Sequence, residues 1–177
     1  MIADEIRTAR LSLRSMAESD VTDVYLGWMT DPEVNRYLET RFMAPSAEGL
    51  REYVREMRGS ANSWFFGIFL ADDGRHVGNI KLGPVSSVHD SAPIGLVIGD
   101  RSVWGQGVAT EAIGAIAEWA FSELGLAKVY AGSYAVNRGS VNAFLRNGFE
   151  IEGVQRRHVR LDTGERDDVV LLGRIRP

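Results

Sequence analysis

The sequence predicts an α+β domain built on one mixed sheet flanked by helices, and three observations carry that expectation. Strand-like apolar runs cluster between residues 63 and 98, and a long amphipathic helix follows closely. Strands and helices then alternate toward the C-terminus.

Taken in order, Leu11 and Leu13 alternate with Arg10, Ser12 and Arg14 and read as a first strand. Asp20 is the expected cap of a helix running to about Met29, and Asp31-Pro32 opens a short helical segment through Tyr37. Ser46 caps a third helix, with Leu50, Val54 and Met57 on one face. Residues 63–70 are apolar and aromatic, and Asp72-Asp73-Gly74 turns them into a partner strand over residues 76–82. A continuous apolar strand over residues 94–98 ends at Gly99-Asp100. The clearest helix covers residues 108–124, where Ala109, Ile113, Ile116, Ala120 and Leu124 fall at helical spacing. Residues 127–134 read as a strand and residues 138–146 as a helix. Gly148-Phe149 starts a further strand, and Asp162-Thr163-Gly164 turns between the last two.

At 177 residues and 45% hydrophobic, the chain holds enough apolar material for one core, so residues 1–177 are expected to form a single domain. A net charge of −4 disfavours a broad nucleic-acid-binding face. The absence of cysteine removes disulfides, thiolate metal sites and a cysteine acyl-enzyme together. His76, His89 and His158 form no metal-ligand spacing, so no metal is expected. No stretch approaches membrane-spanning length, and Met1-Ile2-Ala3-Asp4-Glu5 is too acidic for a signal peptide. A cytoplasmic protein without a membrane partner is the expectation.

The chemistry begins at Trp104-Gly105-Gln106-Gly107-Val108-Ala109-Thr110. A strand, two closely spaced glycines and a long helix make an anion site, because glycines admit close backbone approach and the first N–H groups of the helix are unpaired. A dinucleotide fold would want glycine where Thr110 stands, and no Gly-Lys-Ser/Thr run exists for a nucleoside triphosphate. The pattern alone is equally compatible with an ordinary helix start.

Residues 104–112, Trp-Gly-Gln-Gly-Val-Ala-Thr-Glu-Ala, resemble the signature of the RimJ/RimL-like branch of the GNAT acetyltransferases. The order of elements is similar over nearly the whole chain. Trp104 departs from the Gln or Arg of the wider superfamily, in the way usual for this branch. The resemblance implies a splayed mixed sheet and acetyl-CoA as cosubstrate, its pyrophosphate wrapped by Trp104, Gly105, Gln106, Gly107, Val108, Ala109 and Thr110. It also implies that the strand carrying Val97 and Ile98 pairs its backbone with the pantetheine arm. Asn137-Arg138-Gly139-Ser140 and Asn147-Gly148-Phe149 match a second family motif. Asn137 would then contact the pantetheine or a water, and Ser140 would be the catalytic donor to the leaving thiolate. Both residue types also favour helix caps. Tyr134, at the end of the preceding strand, is the rival donor.

Acetyl transfer needs a neutral amine, and an alkylammonium of pKa ~10 is about one part in a thousand neutral at pH 7. Relatives often carry a Glu ahead of the splayed strand, but Ala92-Pro93 occupies that stretch, leaving His89 and Asp90 as the nearest titratable groups. Direct attack with water-relayed deprotonation is the expected mechanism. Glu111, in the first helical turn, is assigned a structural role against the dipole; Arg156-Arg157-His158 with Arg160 is a small basic run read as a solvated strand or loop, with the adenosine phosphate or an anionic acceptor as the alternative partners. Trp28 and Tyr37 are aromatic candidates for an acceptor cleft or for core. Tyr25 to Trp28, Asn79 to Lys81 and Ile98 to Asp100 look like acetyltransferases of surface-sugar biosynthesis, which implies a small-molecule amine such as an amino-sugar nucleotide. A peptide N-terminus and a silent acyl-CoA sensor are the alternatives, and the only protein partner kept open is a second copy in a homodimer.

Overall fold

The computed structural model describes Met1, Ala3 and residues 5–177. Eight strands form one sheet: β1 (Ile6–Arg7), β2 (Leu11–Ser15), β3 (Trp64–Leu70), β4 (His76–Leu82), β5 (Ser91–Ile98), β6 (Lys128–Tyr134), β7 (Glu150–Arg160) and β8 (Arg166–Ile175). Their spatial order is β1-β2-β3-β4-β5-β6-β8-β7. Every neighbouring pair is antiparallel except β5 with β6, which is parallel. That one parallel pair needs a crossover, and α4 (Val108–Ser122) supplies it.

Alternation along the strands divides the core between two faces. On one, Leu11, Leu13, Phe66, Ile68, Ile80 and Leu82 pack with Ile113, Ile116, Ala117 and Ala120 of α4 and with Phe144 of α5 (Arg138–Leu145). On the other, Phe65 packs with Tyr25, Trp28 and Met29 of α1 (Asp23–Thr30), Val34 of α2 (Pro32–Asn35) and Val54 of α3 (Ala47–Gly59). The adjacent Phe65 and Phe66 thus serve opposite layers.

The expected elements are present, with corrections at their ends. Asp20 does not cap α1. It closes a short 3-10 turn (Glu18–Asp20), where its carboxylate takes two hydrogen bonds from Arg14, at 2.7 and 2.9 Å, and one from the Ala17 N–H. A charge-assisted fork outweighs a single cap bond, so Thr22 caps α1 by accepting from the Tyr25 N–H. α2 stops at Asn35, short of Tyr37, and a second 3-10 turn (Glu39–Phe42) follows. Asp31 and Ser46 cap α2 and α3 as expected. β5 begins at Ser91 despite Pro93, because its pairing with β4 ends at Ile94 opposite Leu82 and the missing N–H interrupts no ladder bond.

Candidate functional site

The sheet splits between β5 and β6. They pair only from Ser91 to Pro93 against Lys128 to Tyr130, after which β5 keeps β4 alone and β6 keeps β8 alone. A cavity of about 770 Å³ occupies the opening, bounded by α4 and α5 on one side and by residues of α2 and the following turn on the other. It therefore communicates with both faces of the sheet.

The Gly99 N–H bonds to the Val77 carbonyl and the Gly83 N–H to the Pro93 carbonyl, both at 2.9 Å. Antiparallel alternation then turns the backbone groups of Gly95 and Val97 toward β4, and those of Leu96 and Ile98 toward the split. Of the two residues expected to pair with a pantetheine arm, only Ile98 offers its backbone, and its carbonyl already accepts from the Trp104 indole at 2.8 Å. Leu96, which sequence reasoning did not name, also turns its backbone toward the split. Its parity becomes legible only once the β4 partner is known.

At the mouth of the split stands the glycine turn. Gly105 and Gly107 have φ of +75° and +79°, a left-handed region that other residues enter at a cost. Gly107 is the N-cap of α4 and no side chain caps the helix, so N–H groups of its first turn remain available to an anion. Trp104, Gly105, Gly107, Val108, Ala109 and Thr110 all line the cavity. Gln106 does not: its amide donates to the Ser102 carbonyl at 2.8 Å and braces the turn from behind.

Glu111 is the anchor of this turn. Its carboxylate accepts from the Thr8 hydroxyl at 2.6 Å, the Arg10 N–H at 2.9 Å and the Arg10 guanidinium at 2.7 Å. Partial burial raises its pKa, but those hydrogen bonds overcome the effect and hold it below the ordinary glutamate value. Arg10 also donates to the Gln106 carbonyl at 2.9 Å, tying the β2 end of the chain to the glycine turn.

Asn137 caps α5 through its carbonyl oxygen, which accepts from the Ser140 N–H at 3.2 Å. Its amide and the Ser140 hydroxyl have no hydrogen-bond partner among the described residues, and both residues line the cavity. Asn147 secures α5 to α4 with 2.8 Å bonds to the carbonyls of Ala143 and Thr110.

On the opposite face, Tyr134 sits at the end of β6 beneath Tyr37, their rings edge to face at 5.8 Å. The Tyr134 hydroxyl donates to Glu39 at 2.5 Å and accepts from Arg41 at 3.3 Å. Burial first, then the hydrogen bond to Glu39, raises the Tyr134 pKa above that of a free phenol. Glu39 and Tyr134 also line a second cavity of about 520 Å³ with His158, Arg160 and Arg166. Trp28 belongs to the core, filling the space against Gly99, while Tyr37 lines the cleft. His89 and Asp90 lie in the exposed segment before β5 and line neither cavity. His76 is held between Phe69 and Trp28, with burial lowering its pKa.

The family described as acetyltransferase (GNAT) domain matches the chain over residues 10–150. Among curated proteins, a probable N-acetyltransferase of Bacillus subtilis (strain 168), YjcK, is 32% identical over 130 residues, covering 71% of each chain. Two solved structures share the fold. RimL, a ribosomal alpha-N-protein acetyltransferase in complex with coenzyme A, is similar with a TM-score of 0.84 at 22% identity, covering 97% of this chain and 98% of its own. A spermidine N-acetyltransferase from Vibrio cholerae in complex with CoA and spermine has a TM-score of 0.83 at 20% identity, with 95% and 96% covered.

Proposed function

This chain belongs to the GNAT acetyltransferase family, as an acetyl-CoA-dependent N-acetyltransferase, and from that premise we propose that residues 1–177 act as one unit transferring acetyl to a small primary amine. The observation that carries the reading is the uncapped start of α4 behind two left-handed glycines, opening onto a split sheet. The coenzyme pyrophosphate lies against residues 104–110, and the pantetheine arm follows Leu96 and Ile98 into the split. Arg138 and Arg146 of the α5 segment also line the cavity and add positive charge near the coenzyme.

The amine nitrogen attacks the thioester carbonyl, a C–N bond forms and the C–S bond breaks, and the sulfur leaves as a thiolate that is stabilised by a hydrogen bond from a nearby hydroxyl and takes its proton from water. Ser140 is assigned as the donor, because its hydroxyl is free of protein partners whereas the Tyr134 proton is committed to Glu39. The proton leaving the amine passes through water to the Glu39 carboxylate, which stands at the junction of the two cavities. No protein acyl intermediate is required. The acceptor preferred here is an amino-sugar nucleotide, supported by the resemblance around Tyr25 to Trp28, Asn79 to Lys81 and Ile98 to Asp100.

The test is an amine-panel screen that follows free thiol release, run beside a thermal-shift titration with acetyl-CoA. A ligand at 100 times its dissociation constant adds about 2.7 kcal/mol to folding stability. Stabilisation with turnover of at least one small amine is the expected result. Stabilisation without turnover of any amine identifies a sensor and overturns the proposed reaction.

A further inference from the structure

The second cavity is continuous with the first, because Glu39, Gly132 and Tyr134 line both. Its floor is the face of β6 and β8 where Gly132 stands opposite Leu171 and Tyr134 opposite Val169. Gly132 adds no side chain to that floor, and Val169 and Leu171 make it apolar. Phe42 also lines the cavity, as the last residue of the 3-10 turn that begins at Glu39.

Phe42 is 65% exposed, whereas every other phenylalanine of the chain is buried. Left in water, it forfeits the ~1.5–3 kcal/mol that burying such a side chain contributes. Its ring is nevertheless held in place. The Arg41 guanidinium lies over it, 4.3 Å from the centroid. That guanidinium is itself fixed, donating to the carbonyls of Arg36 and Arg160 and to the Tyr134 hydroxyl. One cation thus joins Phe42, Tyr134 and the end of β7, all of which line the cavity.

Arg41 takes one face of the ring and leaves the opposite face open. A second cation there would compete for a quadrupole already engaged and would be repelled by Arg41, so an ammonium group is a poor occupant. A neutral planar ring is a good one, since stacking of a base on an aromatic side chain is worth ~1–3 kcal/mol. Phe42 follows Glu39 by three residues, roughly 6 Å at ~2.0 Å per residue of 3-10 turn. Resting on the transferase reading above, we propose that Phe42 is a stacking shelf for the acceptor. It holds a neutral aromatic ring carried on the same molecule as the reacting amine, while the amine reaches Glu39 and the split. A nucleobase and an aryl group share that chemistry, and matched probes separate them.

On the CoA-saturated protein, 4-phenylbutylamine is compared with hexylamine and 4-cyclohexylbutylamine, and UDP-glucosamine with glucosamine 1-phosphate. Binding by calorimetry and kcat/KM with acetyl-CoA are read for the wild type, Phe42→Leu and Phe42→Trp. Leucine stays apolar but removes the π face, and tryptophan keeps it. Because Phe42 is exposed, neither change opens a cavity in the core. The expected result is at least a tenfold preference for the ring-bearing member of one set, falling below threefold in Phe42→Leu and kept in Phe42→Trp. The set that shows it identifies the ring. A phenyl preference matched by cyclohexyl, a preference that survives Phe42→Leu, or no preference in either set overturns the shelf. Phe42-dependent ring binding with no turnover of any amine leaves the shelf standing and removes the transferase reading. Turnover of amines regardless of a ring does the reverse.

Discussion

Replacing Gly107 with valine separates backbone strain from loss of the coenzyme site. Gly107 has a φ of +79°, and a Cβ built there meets only the Arg10 guanidinium, at an ordinary 3.6 Å. No clash blocks folding, so the stability cost is that of a β-branched residue in left-handed backbone, ~1–3 kcal/mol. For a chain of this size each kcal/mol lowers Tm by ~2–4 °C, which predicts a fall of roughly 2–12 °C. The binding loss has another origin. A side chain at the N-cap intrudes where phosphate oxygens meet the helix start, and losing one charge-assisted N–H bond costs ~1.5–3 kcal/mol. Acetyl-CoA affinity should therefore drop roughly ten- to a hundredfold. Gly74→Val supplies the control, since Gly74 has φ +69°, no atom within 4 Å of a built Cβ, and a place in the distant β3–β4 turn. Isothermal titration and thermal melts on both variants should show similar Tm losses but weakened acetyl-CoA only for Gly107→Val. A folded Gly107→Val protein that binds acetyl-CoA within threefold of wild type would refute the placement of the pyrophosphate.

The remaining predictions probe the other walls of the site. Ser140→Ala should lower kcat about tenfold or more while acetyl-CoA affinity holds, because a donor to sulfur acts in the transition state; unchanged kcat where chemistry is rate-limiting reduces Ser140 to a cavity-lining residue and passes the role to Tyr134. Gly95 shares the acceptor side of β5 with Val97, and a Cβ there meets nothing within 4 Å, so Gly95→Val should raise KM for the amine at least tenfold and leave acetyl-CoA affinity within threefold. With subsaturating amine of pKa ~10, the rate should climb about tenfold per pH unit below that value, and His89→Ala and Asp90→Ala should keep the wild-type profile; loss of an inflection in His89→Ala would make that histidine the base. Glu111 has a depressed pKa through Thr8 and Arg10, so its contribution is full above the unfolded value of ~4.3 and is lost as pH falls through the lower folded value. Denaturant melts of wild type and Glu111→Gln should converge in that acid window, and a constant difference across it would contradict the assigned hydrogen bonds.

The parts of the fold legible in the sequence are those whose causes are local. Asp31 and Ser46 announce α2 and α3 because a cap lies within three residues of the N–H it satisfies. The turn before α4 was legible for the same reason, since contiguous residues supply both the glycine conformations and the open helix end. Asp20 was misread because Arg14, on the preceding strand, competes for its carboxylate with two bonds where a cap offers one. Val97 was expected to offer its backbone to the split, but its groups face β4 and those of Leu96 face the split, because a strand's hydrogen-bonding parity is set by its neighbour. Glu39 carries no local sequence signal for its place in the site. Its partner Tyr134 is 95 residues away, and no local signal joins them.

That difference between local and distant causes has a functional consequence. Ile94, Leu96 and Ile98 pack with the α4 side of the core, whereas Val97 packs with the α1–α3 side. Tyr134 and its contacts to Glu39 and Arg41 also lie toward the residues after α2. In the proposed reaction the donor thioester lies along one side and meets its acceptor through the split between β5 and β6, where the cavity reaches both faces. On that proposal, the residues that grip the coenzyme and those that select the amine sit on separate elements, joined at Glu39 and Tyr134. The stretch matching the acetyltransferase family ends at residue 150, so the glycine turn falls within it. On the proposed reading, acceptor choice can change through the turn after α2 while the coenzyme wall stays as it is.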